Sequence, residues 1–217
     1  MKIQLAVDLT TTKEAVELLE EVAEYVDIIE VGSPLVVSEG LHAVREIRKR
    51  YPDKTILADC KIMDGANFIG AMAYDAGADI VTVVAAAHDY TIMEHVRTAH
   101  ERGKLAEVDM MNIDDIEGRA QELLDMGVDI ICMHASAEAL RPNEVHINRI
   151  KRMLSVVPCE KASVANSLNF DTLDRVLVYK PEIVVVSVPI LSATDKKSAE
   201  KFSIVIIKIH LEVGGEI

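Results

Sequence analysis

The feature that most constrains this chain is a regular alternation. Short runs rich in Val, Ile and Ala are separated by longer, charged, amphipathic stretches. Strand candidates fall at 3–8, 26–31, 55–60, 79–84, 105–109, 129–134, 160–165 and 183–188. Helix candidates fall at roughly 12–25, 38–50, 66–76, 90–102, 114–126, 145–156, 170–179 and 195–209. Eight strands alternating with eight helices predict a parallel sheet, and runs this apolar on both sides are those that helices cover. Half of the 217 residues are hydrophobic, yet tryptophan is absent and aromatics make up 4%. The core is therefore built from Val, Ile, Leu, Ala and Met.

One αβ unit recurs. Ala76-Gly77-Ala78-Asp79-Ile80-Val81 matches Met126-Gly127-Val128-Asp129-Ile130-Ile131, with looser versions at Tyr25-Val26-Asp27-Ile28-Ile29-Glu30 and Lys180-Pro181-Glu182-Ile183-Val184-Val185. In the first two a helix ends at glycine and a strand begins at once. Recurrence of one unit favours a symmetric barrel over a doubly wound open sheet. The expectation is an α/β protein with a single (β/α)8 TIM-barrel domain over 1–217, a common length for that fold.

The formal net charge of −13 argues against nucleic acid or an anionic membrane surface as partner. A small phosphorylated substrate needs only a local cradle of backbone N–H groups and is not excluded. Cys60, Cys132 and Cys159 are widely spaced without a C-x-x-C pattern, which reads as reduced thiols in a cytoplasmic protein. Asp8 interrupts the first apolar stretch, so no signal peptide is expected. No run reaches the ~18 apolar residues of a membrane span.

In such a barrel the active site lies at the C-terminal ends of the strands, so the polar residue closing each run is the one to inspect. These are Asp8, Glu30, Asp59 with Lys61, Asp109 and His134. Carboxylates without a histidine cluster suit a hard divalent ion such as Mg²⁺, and Glu30 with Asp59 is the natural pair. Lys61, between carboxylates, stays charged and can stabilise a developing enolate oxygen. His134 titrates in the range useful for an acid or base. Together these residues point to chemistry through an enediolate of a sugar or keto acid; isomerisation, decarboxylation and aldol reactions remain open. His42, His95, His100, His146 and His210 read as surface residues on helices, and His88 is a candidate for the pocket mouth. Met110, Met111 and Met133 read as core filling.

Ile3-Gln4-Leu5-Ala6-Val7-Asp8-Leu9, Asp27-Ile28-Ile29-Glu30-Val31-Gly32-Ser33-Pro34, Leu57-Ala58-Asp59-Cys60-Lys61-Ile62-Met63-Asp64 and Ala76-Gly77-Ala78-Asp79 closely resemble the 3-hexulose-6-phosphate synthase group of the orotidine 5′-monophosphate decarboxylase suprafamily. The match is dense from residue 1 to about 140, and D-x-K-x-x-D after the third strand is its specific signal. The resemblance implies an aldehyde-lyase that adds formaldehyde to D-ribulose 5-phosphate, giving D-arabino-hex-3-ulose 6-phosphate, with Mg²⁺ or Mn²⁺. It implies that Glu30 and Asp59 bind the metal, Lys61 stabilises the enediolate and Asp8 contacts substrate hydroxyls. It further implies that His134 moves the proton at C1 with Asp109 close by. The group forms homodimers in which the last motif carboxylate, here Asp64, reaches the neighbouring site. The related 3-keto-L-gulonate-6-phosphate decarboxylases carry a glutamate at the end of strand 5 and an arginine three residues after the strand 6 histidine. Asp109 and Ala137 stand there and favour the synthase.

The C-terminal third departs from that pattern. Where the family has Ala-Gly-Gly after strand 7 and Gly-Gly after strand 8 to cradle phosphate, this chain has Ala165-Asn166-Ser167 and Ser187-Val188-Pro189. Ala85-Ala86-Ala87 replaces a usual glycine after strand 4, and the tail through Ile204-Val205-Ile206-Ile207 is unusually β-branched. Val188 adds bulk and Pro189 removes an amide donor. Two outcomes follow. Asn166, Ser167, Ser187 and Val188 form an altered phosphate site in a working enzyme, or phosphate capture is lost and the catalytically degenerate barrel binds another ligand or acts mainly as a structural partner.

Overall fold

The computed structural model describes residues 1–136, 138, 146–168 and 172–187, with the side chains of Asn166 and Ser167 outside that set. Eight parallel strands close into a barrel in sequence order: β1 Lys2–Val7, β2 Ile28–Val31, β3 Thr55–Ile62, β4 Ile80–Val84, β5 Leu105–Asp109, β6 Ile130–His134, β7 Ala162–Leu168 and β8 Ile183–Val186. The helices are α1 Thr12–Val22, α2 Ser33–Glu39, α3 His42–Arg50, α4 Ala66–Asp75, α5 Asp89–His100, α6 Ile116–Asp125, α7 Ile147–Leu154 and α8 Asp174–Leu177. The barrel expected from the sequence is therefore present. The short α2, which begins with Pro34 in its first turn, is an addition that the apolar periodicity did not signal. The helix expected at 195–209 lies outside the described residues.

Strand alternation divides the apolar residues into two cores. The outer core, between barrel and helices, contains Ile3, Leu5, Val7, Ile29, Val31, Val81, Val83, Val108, Ile131 and the inward faces of the helices. The inner core contains Ala6, Ile28, Leu57, Ile80, Ile130, Ile183 and Val185. In a tilted eight-stranded barrel, equal height falls about one residue further along each successive strand, so interior layers draw on alternate strands. The registers put Ile28, Ile80, Ile130 and Ile183 in one layer, a floor of four isoleucines. Above it come Gln4, Leu57, Glu107 and Ser163, then Glu30, Thr82, Cys132 and Val185, then Ala6, Asp59, Asp109 and Ala165. The interior thus turns from hydrocarbon to polar as it rises, and two alanines in the top layer leave room there.

His95 is a correction to the surface reading. It is fully buried on the inner face of α5, where its Nε2 lies 2.8 Å from the Val81 carbonyl and its ring stacks on Tyr74. Gly70 of α4 permits this packing, since a Cβ there would sit 3.1 Å from His95 Nδ1. Desolvation lowers the His95 pKa, so it serves as a neutral packing residue. Met110 and Met133 are buried, as expected of core filling.

Candidate active site

Asp8, Glu30, Asp59, Lys61, Asp109, His134 and Ser187 line one cavity of about 190 Å³ at the C-terminal end of the barrel. The fold thus gathers residues from six strands or the positions just after them. Gln4, Thr82, Glu107 and Cys132 line the same cavity lower down.

Local irregularity in β3 aims the motif. Ala58 pairs with Val81 but Ile62 pairs with Val83, so β3 spends two more residues than β4 over that stretch. Within this bulge Lys61 adopts φ 42°, the left-handed region that a non-glycine residue avoids at a cost of about 1–2 kcal/mol. Its N–H donates to Thr82 Oγ1 at 2.9 Å, which holds the strained turn. Strain of this kind is characteristic of functional positions. β7 repeats the device: Val164 pairs with Val184 and Leu168 with Val186.

The charges are tightly bound to one another. Asp59 Oδ1 accepts from Thr82 at 2.8 Å, and Oδ2 accepts from Ser33 at 2.8 Å and from the Lys61 ammonium. Lys61 also lies 3.8 Å from Asp109. Burial alone would raise the Asp59 pKa; the Lys61 charge and the three side-chain donors outweigh it and hold the carboxyl below its ordinary value. Burial would likewise lower Lys61, but Asp59, Asp109 and Glu30 keep it above its ordinary value and therefore charged. Glu30 is pushed well up, first by burial and then by the Asp59 charge, against a 2.7 Å hydrogen bond from Gln4 Nε2. The Cys60 and Cys132 thiols are raised chiefly by burial, Cys60 to about 12, which removes them as nucleophiles.

His134 Nδ1 lies 2.8 Å from Asp109 Oδ2. With that nitrogen donating to the carboxylate, Nε2 is left to exchange a proton with a ligand. Across the site, Ser187 Oγ donates to Asp8 Oδ2 at 2.9 Å. Gly32 makes room for Asp8, because a Cβ there would overlap the Asp8 carboxylate and lie 2.9 Å from the Val7 carbonyl. The one Ser187 proton is thus engaged by Asp8, whereas one of the two outcomes expected from the sequence places it on a phosphate. Val188 lies outside the described residues, as do the side chains of Asn166 and Ser167 and residue Ala137.

Asp64 is exposed, accepts from the Gly65 N–H at 2.8 Å and is not part of the cavity wall of its own chain. His88 is exposed and caps α5, where it accepts from the Tyr90 N–H at 3.3 Å; it does not line the cavity. Gln4, Thr82, Glu107 and Ser33 do not close an apolar run, so the strand-end pattern passes over them. Period-two alternation was the available signal, since Gln4 and Glu107 lie four and two residues before Asp8 and Asp109 and so face the same way.

Barrel, motif and converging carboxylates define the class. The chain belongs to the orotidine 5′-phosphate decarboxylase / HUMPS family, whose model matches residues 1–202. Within that family it is similar to 3-hexulose-6-phosphate synthases, which are lyases. The Bacillus subtilis (strain 168) protein of that name is 40% identical, covering 96% of this chain and 100% of its own. The crystal structure of the Salmonella typhimurium 3-hexulose-6-phosphate synthase superposes with a TM-score of 0.90 at 36% identity, covering 97% of this chain and 100% of that one. A crystal structure of KGPDC from Streptococcus mutans, solved as a complex, is more distant in sequence, with a TM-score of 0.86 at 25% identity over 96% of this chain and 98% of that one. Among the described residues no helix is long and apolar enough to cross a membrane.

Proposed function

We propose that this enzyme adds formaldehyde to D-ribulose 5-phosphate through an enediolate, yielding D-arabino-hex-3-ulose 6-phosphate. The observation that carries the reading is a charged lysine between Asp59 and Asp109, with a histidine on that same Asp109, all facing one cavity. His134 Nε2 removes a proton from substrate C1, and Asp109 stabilises the imidazolium that forms. Lys61 faces the oxygen on which negative charge develops. C1 then attacks the formaldehyde carbon, and the proton held by His134 is available to the new alkoxide. Asp8, oriented by Ser187, accepts from sugar hydroxyls.

A divalent cation fits the donor set. Asp8, Glu30, Asp59 and Asp109 share the cavity with one lysine among the described residues, an excess of acid that an anionic substrate would worsen. Among those residues no group of three or more His, Cys, Asp or Glu could hold a metal ion, so an all-protein cage is absent there. Mg²⁺ characteristically takes one or two carboxylates and completes its shell with water and substrate oxygens. Glu30 and Asp59 would hold Mg²⁺ or Mn²⁺, which supplies positive charge to the developing enediolate.

The reading includes a homodimer. Met63, Phe68, Ile69 and Met72 flank Asp64 and are 41–72% exposed, and Tyr90 and Met93 of neighbouring α5 are also exposed. A second copy on this apolar patch would account for it and carry Asp64 to the partner's site.

The test is formaldehyde consumption with ribulose 5-phosphate, with and without Mg²⁺. Metal-dependent consumption, lost roughly 10²–10³-fold in Lys61→Ala, is the expected result. No consumption by folded protein overturns the reading and directs attention to decarboxylation of 3-keto-L-gulonate 6-phosphate, the activity of the group to which the sequence resemblance is weaker.

A further inference from the structure

One interior layer is unlike the rest. Gln4 of β1, Glu107 of β5 and Ser163 of β7 occupy three of its four places, with Leu57 of β3 in the fourth. All three polar residues are at most 3% exposed. Gln4 Oε1, Glu107 Oε2 and Ser163 Oγ are buried atoms with no well-formed hydrogen bond among the described residues. The Cys132 thiol of the next layer makes weak, long contacts with both Glu107 and Ser163, and a thiol is too poor a partner to satisfy these oxygens. Three such atoms in one layer destabilise the fold if they are left dry.

We propose that this layer is a buried water site, in which at least one water molecule is bound jointly by Gln4 Oε1, Glu107 Oε2 and Ser163 Oγ. The donors and acceptors balance. Burial pushes the Glu107 pKa up to about 8, with the Asp59 and Asp109 charges adding to it, so this side chain is a neutral acid able to donate. Ser163 donates likewise, and the water returns a proton to Gln4 Oε1. A buried water typically makes about three hydrogen bonds, the number available. A bound metal cation is a poorer occupant, because hard cations gather about six oxygens and Leu57 and the isoleucine floor offer none.

The site has a consequence for the layer above. An amide oxygen fixed by water turns the Gln4 NH₂ toward Glu30, where it donates at 2.7 Å. Glu107 and Ser163 are thereby positioning residues for Glu30, acting through the water and Gln4; this step rests on the proposed metal role of Glu30.

The first test is a high-resolution crystal structure of the metal-free wild-type protein. A water within hydrogen-bond distance of the three atoms, absent in Ser163→Val, is expected. A dry layer, or a cation there, overturns the proposal. The second test is Mn²⁺ binding, read by electron paramagnetic resonance of the free ion rather than by turnover. Ser163→Val should weaken Mn²⁺ about tenfold and Ser163→Thr should restore it. Unchanged affinity in a Ser163→Val protein that has lost the water overturns the positioning step. A wild-type protein that shows the water but binds no Mn²⁺ supports the water site and overturns the metal reading instead.

Discussion

At the scale of single residues, the cavity sets charged groups that close a strand above polar groups buried further down. Asp59, Lys61, Asp109 and His134 announce themselves in sequence, and the structure brings them together. Glu107 sits in the same strand as Asp109, equally buried but two layers lower in the barrel. Its ordinary value is 4.5 and its folded value about 8, so between those limits the folded chain holds a proton that the unfolded chain has released. Stability with respect to this group is greatest below pH 4.5 and declines as pH rises toward 8. Glu107→Gln removes that decline, and the melting temperature of the variant relative to wild type should climb across this window. A constant difference from acid to neutral pH would show that Glu107 is ionised in the fold. Asp109→Asn tests the neighbouring pair. It keeps the shape but loses the charge that stabilises the imidazolium, and turnover should drop about 10²–10⁴-fold with little change in melting temperature.

At the scale of elements, the repeated αβ unit has a physical cause that the sequence pattern alone does not display. Asp27, Asp79 and Asp129 each precede an even-numbered strand, and each accepts from a backbone N–H of the strand before it: Ile3 at 2.8 Å, Ile56 at 2.9 Å and Ala106 at 2.9 Å. The aspartate is a staple at the N-terminal end of the barrel, far from the chemistry. Recurrence at every second strand therefore reports stability and not catalysis. Around Asp79 the staple is reinforced. Arg48 of α3 pairs with it and donates to the Gly77 carbonyl at 2.8 Å and the Lys54 carbonyl at 2.8 Å. Gly77, at φ 114°, adopts a left-handed conformation suited to glycine, and a Cβ there would collide with the Arg48 stem. Arg48→Ala frees several carbonyls and one carboxylate at once and should cost about 2–3 kcal/mol. A urea midpoint that falls with unchanged slope would confirm it; an unchanged midpoint would refute the staple.

At the scale of the whole molecule, eight apolar runs and their spacing were enough to read the barrel, because a parallel sheet buried on both faces leaves few other arrangements. Assembly is less legible, since an exposed methionine or phenylalanine looks the same in sequence as a buried one. The dimer reading makes two predictions. Phe68→Glu with Met72→Lys should give monomers by sedimentation and lower turnover. Lys61→Ala and Asp64→Ala proteins, each weak alone, should regain about a quarter of wild-type activity after subunit exchange, because half the dimers are mixed and each mixed dimer holds one intact site. No recovery in mixed dimers would place Asp64 outside the neighbouring site.

Among the described residues, the four isoleucines beneath the polar layers close the barrel from below and make it a well. Whatever occupies the bottom of a well arrives before the lid and leaves after it. A sugar phosphate seated across the top would trap any small molecule or proton below it for the lifetime of the complex. Reactants that meet at the bottom would then follow a compulsory order, the smaller one passing down first.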